Sequence, residues 1–267
     1  MIAAMNAKNE KQREDVMRNL TNVLAATCLA VLGVLSQGTT QAAEITILGG
    51  MGVISGVRDL AAGFQSATGH KVNAVFDAQA LAKVNAGAPA DIAALNPPVI
   101  DGLIKSGKMV GTRVDFARAG IGVAVKAGAP KLDLSTVEKF KTAMRNAKSI
   151  GYSTAGSGLM VAEIIKNLGL TEELKARTKF LDGFPAAEAV ARGEVEIALQ
   201  QINVILPVAG ADLGGVLPAE LQMYNDFAVG VLAVSKEKDV ATAMVKFMGD
   251  PANAALVRKS GMEPPAR

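Results

Sequence analysis

The chain has one histidine, one cysteine, no tryptophan and two tyrosines among 267 residues, and aromatic side chains make up 4% of it. Each scarcity removes a class of chemistry. The one histidine, His70, stands in a "TGHKV" turn ahead of a predicted strand, so neither a serine triad nor a histidine-based metal site has an imidazole to use. The one cysteine, Cys28, follows Thr27 inside an apolar run, whereas a lipid-attachment cysteine would close such a run after a small residue. If that run is removed by processing, the mature chain offers no thiol nucleophile and needs no disulfide. There is no basic block: 28 Lys and Arg stand against 25 Asp and Glu, a formal charge of +3. Taking away the four basic and three acidic side chains of residues 1–42 leaves +2. With so few aromatics, that balance gives no support for nucleic-acid binding. No P-loop lysine, G-x-S-x-G motif, internal repeat or low-complexity segment occurs.

A strongly apolar run of about 20 residues, the length a membrane span requires, is also missing. Residues 20–35, "LTNVLAATCLAVLGVL", are interrupted by small polar residues, follow Arg18 and lead into "SQGTTQAA". They read as a secretory signal peptide cleaved near residue 42, which sends the chain to the periplasm. Residues 1–16 are charged for such a leader, so Met17 is an alternative start.

What is present is 50% apolar and 20% charged, the composition of a globular chain, with length enough for two modest lobes. "EITILGG" from Glu44 is a predicted strand, and "VISGVRDLAAGFQSATG" then sets Val53, Val57, Leu60, Ala61 and Phe64 at helical spacing. "HKVNAVFDAQ" with "ALAKVNAG", and "PADIAAL" with "PPVIDGLIKSGK", repeat the strand-then-helix order, Pro97 and Pro98 suiting a helix start. The alternation predicts a parallel, helix-covered sheet. "STVEKFKTAMRNA" reads as an amphipathic helix with Ser135 and Glu138 as a capping box. "SIGYSTAGSGLM", "TKFLD", "FPAAEAVARG" and "VEIALQQ" continue the α/β order, and helices at "DVATAMVKFMG" and "PANAALVRKSG" close the chain. Two apolar strands, Gly120–Val125 and Phe227–Val234, bracket about 100 residues, as a chain must that leaves one lobe, builds a second and returns. The expected organisation is therefore an α/β protein of two lobes joined by crossing hinge strands. Residues 43–119 and 227–267 form one lobe and 120–226 the other.

In open α/β sheets ligands sit beyond the carboxyl ends of strands, where helix N-termini aim free N–H groups into the crevice. The candidate groups at such ends are Gly50 and Met51, Asp77 and Gln79, Asn96, the hydroxyls of Ser153, Thr154 and Ser157, and Gln200, Gln201 and Asn203. Nearly all are neutral hydrogen-bonding groups. The serines and the threonine serve equally as N-caps, Gly50 as part of a tight turn, and Asn96 as the cap of the helix that the prolines begin. Arg118, just ahead of the first crossing strand, either attracts a carboxylate into the cleft or forms a surface ion pair. Tyr152 either meets a ligand or closes its strand into the core.

The segments "EITILGGMGVISGVRDLAAGFQSATGHKV", "AGAPADIAALNPPVIDGLIKSGKMV", "GVAVKAGAP", "ARGEVEIALQQ" and "MVKFMGDPANAALVRKSGMEP" span nearly all of the mature chain. In them the chain resembles bacterial periplasmic solute-binding proteins of the molybdate-binding type, which serve ABC transporters. The resemblance implies a hinged, two-lobed periplasmic-binding-protein fold, a monomer that closes on a small anion without metal or cofactor and presents it to an ABC permease in the inner membrane. Members that bind molybdate resemble one another in serines after the first and second strands; here those places read Gly50-Met51-Gly52 and Asp77-Ala78-Gln79. Some chains of the wider group are similar to aconitate isomerase, which moves an allylic proton. That alternative implies a proton shuttle, for which Asp77 or Tyr152 is the candidate.

Overall fold

A computed structural model describes residues 42–266. The proposed signal peptide lies outside them. Nine strands occur among the described residues, and their pairing falls into two sheets that share one strand. In the first sheet β1 (Glu44–Gly49) runs parallel to β2 (Lys71–Phe76) and to β3 (Ile92–Leu95), while β9 (Tyr224–Leu232) is antiparallel to β3. In the second, β5 (Ile150–Tyr152) is parallel to β6 (Thr178–Phe180) and β7 (Ile197–Gln201). The shared strand is β4 (Met109–Lys126), whose residues 109–120 pair with β9. From Ile121 onward it pairs instead with β7 and with β8 (Ala211–Val216). The chain therefore passes between sheets inside one continuous strand, at the step from Gly120 to Ile121.

This differs from the two separate crossing strands read from the sequence. The apolar run at Gly120–Val125 is only the last third of β4, and β9 begins at Tyr224 and stays in the first sheet. The return passage is the connection of residues 217–223. The first eleven residues of β4, "MVGTRVDFARA", carry charges that hide a strand from a hydropathy reading. Arg113 bridges Asp101 and Asp115 at the surface while the buried Phe116 and Ala117 face the core.

Each sheet has its own core. Helix α1 (Ile54–Thr68) buries Val57, Leu60, Ala61 and Phe64 against the first sheet and stops at Gly69, whose left-handed φ of 76° turns its N–H back to the Gln65 carbonyl. These side chains join Ile45, Ile47, Ile92, Phe116, Val229 and Met244, each contributing about 1.5–3 kcal/mol by leaving water. Helix α2 (Ala80–Asn85) and α3 (Pro97–Lys105), the latter with proline at its first positions, cover the other face with Val84, Ile100 and Leu103. The second core combines Ile121, Val123, Ile150 and Leu199 with Phe140 and Met144 of α4 (Val137–Asn146) and Val161, Ile164 and Ile165 of α5 (Ser157–Asn167). After the short α6 (Thr171–Leu174), α7 (Ala186–Ala191) and α8 (Ile202–Ile205) complete this half, and α9 (Lys238–Gly249) and α10 (Ala254–Lys259) return to the first.

Helix α4 corrects one expectation. Its cap is Thr136, whose hydroxyl accepts the Lys139 N–H, while the neighbouring Ser135 hydroxyl is bound to Asp133 and Glu138 pairs with Lys141. A capping box at Ser135 is thus displaced: Asp133, two residues earlier, claims the Ser135 hydroxyl, and the cap moves one residue on to Thr136.

Candidate functional site

The parallel strands β1, β2, β3, β5, β6 and β7 end at residues 49, 76, 95, 152, 180 and 201, and the proposed ligand groups follow those ends. Their partners divide them into two sets.

Most are committed to the frame. Gly50 gives its amide N–H to the Ala94 carbonyl, holding β1 to β3. Asn96 donates through Nδ2 to Asn225 Oδ1 at 2.6 Å and to the Asp226 carbonyl at 3.0 Å, tying the start of α3 to β9. Asp77 pairs with Lys83 and receives the Gln79 amide at 2.7 Å. The Lys83 hydrogen bond, helped by that amide, holds the Asp77 carboxyl below its usual range, which makes it a weaker base. Gln79 itself is exposed. Gln200 accepts the Ala187 N–H and so caps α7. Arg118 is bound to Glu263 at 2.7 Å and stacks over the Tyr224 ring, 4.0 Å from its centre, while the Tyr224 hydroxyl donates to the same glutamate. Its role is an ion pair that secures the C-terminal segment to β4 and β9.

The turn between β5 and α5 is also engaged. Ser153 donates to the Ala155 carbonyl at 2.7 Å, and Thr154 gives both its amide and its hydroxyl to the Asp182 carboxylate at 2.8 Å. Neither caps the helix, whose N-cap is Gly156 without a side-chain bond. Asp182, at the end of the neighbouring strand, therefore takes the place an anion would need at Thr154. It was not singled out in the sequence, although "FLDG" after a parallel strand marks such a position. Ser157 is buried as the first residue of α5. Tyr152 is 7% exposed, packs edge-on against Phe180 at 5.5 Å, and burial raises its pKa.

Gln201 and Asn203 behave differently. They are 4% and 2% exposed, at the end of β7 and in α8, and both meet the first lobe at Gly52. Asn203 donates through Nδ2 to the Gly52 carbonyl at 2.8 Å and to the Ser55 hydroxyl at 3.2 Å. Gln201 Oε1 lies 3.1 Å from where a Cβ on Gly52 would stand, and the Phe227 ring is 3.0 Å from that point. A side chain at Gly52 would press on both groups. Two buried atoms here have no hydrogen-bond partner, Gln201 Nε2 and Asn203 Oδ1, and leaving such atoms unpaired costs about 1–3 kcal/mol each. Beside them the turn Met51–Val53, whose Val53 N–H is bound to the Gly50 carbonyl, leads into α1 with no side-chain cap on either, so the positive end of the helix dipole lies here without a side-chain acceptor. Met51 itself is 47% exposed at this rim.

A surface pocket of about 390 Å³ lies elsewhere, between Lys131–Asp133, α4 and the start of β7 at Glu196 and Ile197. A five-residue strand separates that end from Gln201, about 13 Å. Its lining includes the Lys139–Asp133 ion pair, and neither of the two buried unpartnered side-chain atoms belongs to it. We place the site by its unpaired buried atoms, not by cavity size. Among the described residues no cluster of histidine, cysteine or carboxylates is arranged to hold a metal ion, and no helix is long and apolar enough to cross a membrane.

Comparison with known proteins agrees with this architecture. The family model described as bacterial extracellular solute-binding protein matches residues 45–263. Aconitate isomerase from a Pseudomonas species is 27% identical over 229 residues, covering 82% of this chain and 87% of that protein. The molybdate-binding protein ModA of Azotobacter vinelandii is 27% identical over 233 residues, covering 83% and 90%. Among solved structures, the periplasmic molybdate-binding protein of Azotobacter vinelandii superposes with a TM-score of 0.68 at 20% identity, over 83% of this chain and all of that one. That likeness establishes a shared two-lobed fold.

Proposed function

We propose that this chain, which belongs to the bacterial extracellular solute-binding protein family, captures a small oxyanion or organic acid between its lobes in the periplasm and delivers it to an ABC permease of the inner membrane. In this reading residues 1–42 are removed as a signal peptide, and the mature monomer closes residues 120–226 onto residues 43–119 and 227–267. The observation that carries it is the pair of buried, unpartnered amide atoms on Gln201 and Asn203, two residues that meet the other lobe at Gly52, in the turn before α1. Neutral donors at a helix N-terminus hold an anion while leaving its release possible. In this reading Ser157 acts with Gln201 and Asn203 from one lobe, and the Met51–Val53 turn from the other. Gly50, Gln79, Asn96, Gln200 and Arg118 serve the frame around it, and Ser153 and Thr154 hold the neighbouring loop.

Relatives point to two ligand chemistries, molybdate and aconitate. Gly50, Met51 and Gly52 provide no hydroxyl at the end of β1, which favours an organic acid over molybdate. A thermal-shift screen against molybdate, tungstate, sulfate, phosphate, citrate and both aconitates tests the reading, since a ligand that binds only the folded chain raises its melting temperature. The Gln201→Leu variant should bind the anion so found at least about tenfold more weakly, roughly 1.4 kcal/mol. Unchanged affinity would remove Gln201 from the site.

The aconitate isomerase relative favours a second reading, catalysis on the same fold. It requires a proton carrier in the cleft, and its two candidates are poorly disposed: Asp77 is held by Lys83, and Tyr152 is buried with a raised pKa. Following the isomer composition of the aconitate samples separates the readings. Conversion of one isomer to the other makes the chain an enzyme.

A further inference from the structure

The orientation of Asn203 carries more than a place in the cleft. Its amide cannot be turned over: the Gly52 carbonyl 2.8 Å away only accepts, so Nδ2 must face it and Oδ1 must face away. That oxygen is buried and receives no hydrogen bond. An amide oxygen is an acceptor only, and a fully ionised oxyanion such as sulfate or molybdate has nothing to donate to it. Gln201 has no such constraint, because no partner holds either end of its amide through a hydrogen bond, and it can turn its nitrogen toward an anionic oxygen. The two residues flank Ile202 and converge on Gly52, so together they supply one donor and one acceptor.

Resting on the proposed capture of an anion between the lobes, we infer that the ligand carries an O–H group that donates to Asn203 Oδ1, making it a hydroxylated carboxylic acid or a protonated oxyanion. Asn203 then reads the ligand with its oxygen while its nitrogen holds Gly52 and Ser55 of the other lobe. Recognition and closure are joined in one side chain. A site that spends a buried acceptor on a ligand hydroxyl rejects the analogue lacking it, because the acceptor is then left unpaired.

Calorimetric titration of the purified protein with two matched pairs tests this: citrate against tricarballylate, which differ by one hydroxyl, and hydrogen phosphate against sulfate at pH 8, both dianions of which only the first has a proton to give. The expected result is that the O–H member of one pair binds at least about tenfold more tightly than its partner, and the pair that shows it identifies an organic or an inorganic ligand. In Asn203→Ala that ratio should fall to near one. In Ser55→Ala, which removes only a lobe contact, both members should weaken together with the ratio kept. Equal binding within both pairs, or a preference that survives in Asn203→Ala, overturns the inference while leaving the anion site standing. No binding of any of the four overturns this inference, while the anion reading of the cleft stands or falls separately by the thermal-shift screen.

Discussion

At the scale of single residues, burial and partners decide between roles that residue type leaves open. Tyr152 and Gln201 both end strands that point at the cleft. Tyr152 packs into the second core and against Phe180, so its phenol is held neutral and burial raises its pKa above the ordinary 10.0. A raised pKa means that the unfolded chain ionises first as pH rises. The stabilisation from the neutral phenol is therefore complete below pH 10 and is lost as the pH climbs toward the raised folded value. Melting curves at pH 9, 10 and 11 should show the unsubstituted protein losing more stability across that range than Tyr152→Phe, and equal losses would contradict the assignment of Tyr152 to the core. Gln201 is just as buried but carries an amide nitrogen that nothing answers. Its type and position at a strand end were readable as a candidate ligand group. Its difference from Gln200, one residue earlier and spent on capping α7, was not, because alternate strand residues face opposite sides and only packing says which side meets the other lobe.

At the scale of elements, local chemistry competes in ways a motif does not reveal. Residues 133–139 offer two hydroxyls for one helix start, and the Asp133 carboxylate claims that of Ser135 while Thr136 takes the cap. Thr136→Ala should therefore destabilise the protein by about 1 kcal/mol in urea titration. Ser135→Ala, at an exposed site, should stay within about 0.5 kcal/mol, and the reverse order would restore the Ser135 cap. Strand β8, "ADLGGV", has no apolar alternation and two glycines, and forms because β4 offers its free edge from Gly122 to Lys126. The glycines let Leu134 and Val125 lie where side chains would stand. Elements with strong periodicity, such as α1 and β1, were legible in advance because their apolar faces are contiguous in sequence. β8 is stabilised by its neighbour, and the first half of β4 by pairing with β9.

At the scale of the whole molecule, the passage between lobes turns on one side chain. The Gln222 amide accepts from the Ile121 N–H at 2.7 Å and donates to the Ile121 carbonyl at 3.0 Å, acting as one more residue of strand edge where β4 changes sheets. Gly120 leaves room for it, since a Cβ there would stand 3.0 Å from the Gln222 side-chain carbon. Ile121 is also the residue registered opposite Gln201, so this clamp steadies both hinge and site. Gln222→Ala should cost about 2 kcal/mol, one for each bond, and should weaken ligand binding as well. Gln222→Glu, which keeps only the acceptor, should fall between. A variant as stable as the parent would show that the clamp contributes nothing. The sequence alone determined the α/β class, the strand-to-helix order and the two-lobed plan, because these follow from the spacing of apolar residues and from turn chemistry local to each segment. Tertiary structure decided which strand carries the chain between sheets and which polar strand ends are satisfied. It also decided that Gln201 and Asn203 meet Gly52 from about 150 residues away. A hydrogen bond's worth depends on what desolvates it and what answers it, and both are settled only when distant segments pack together.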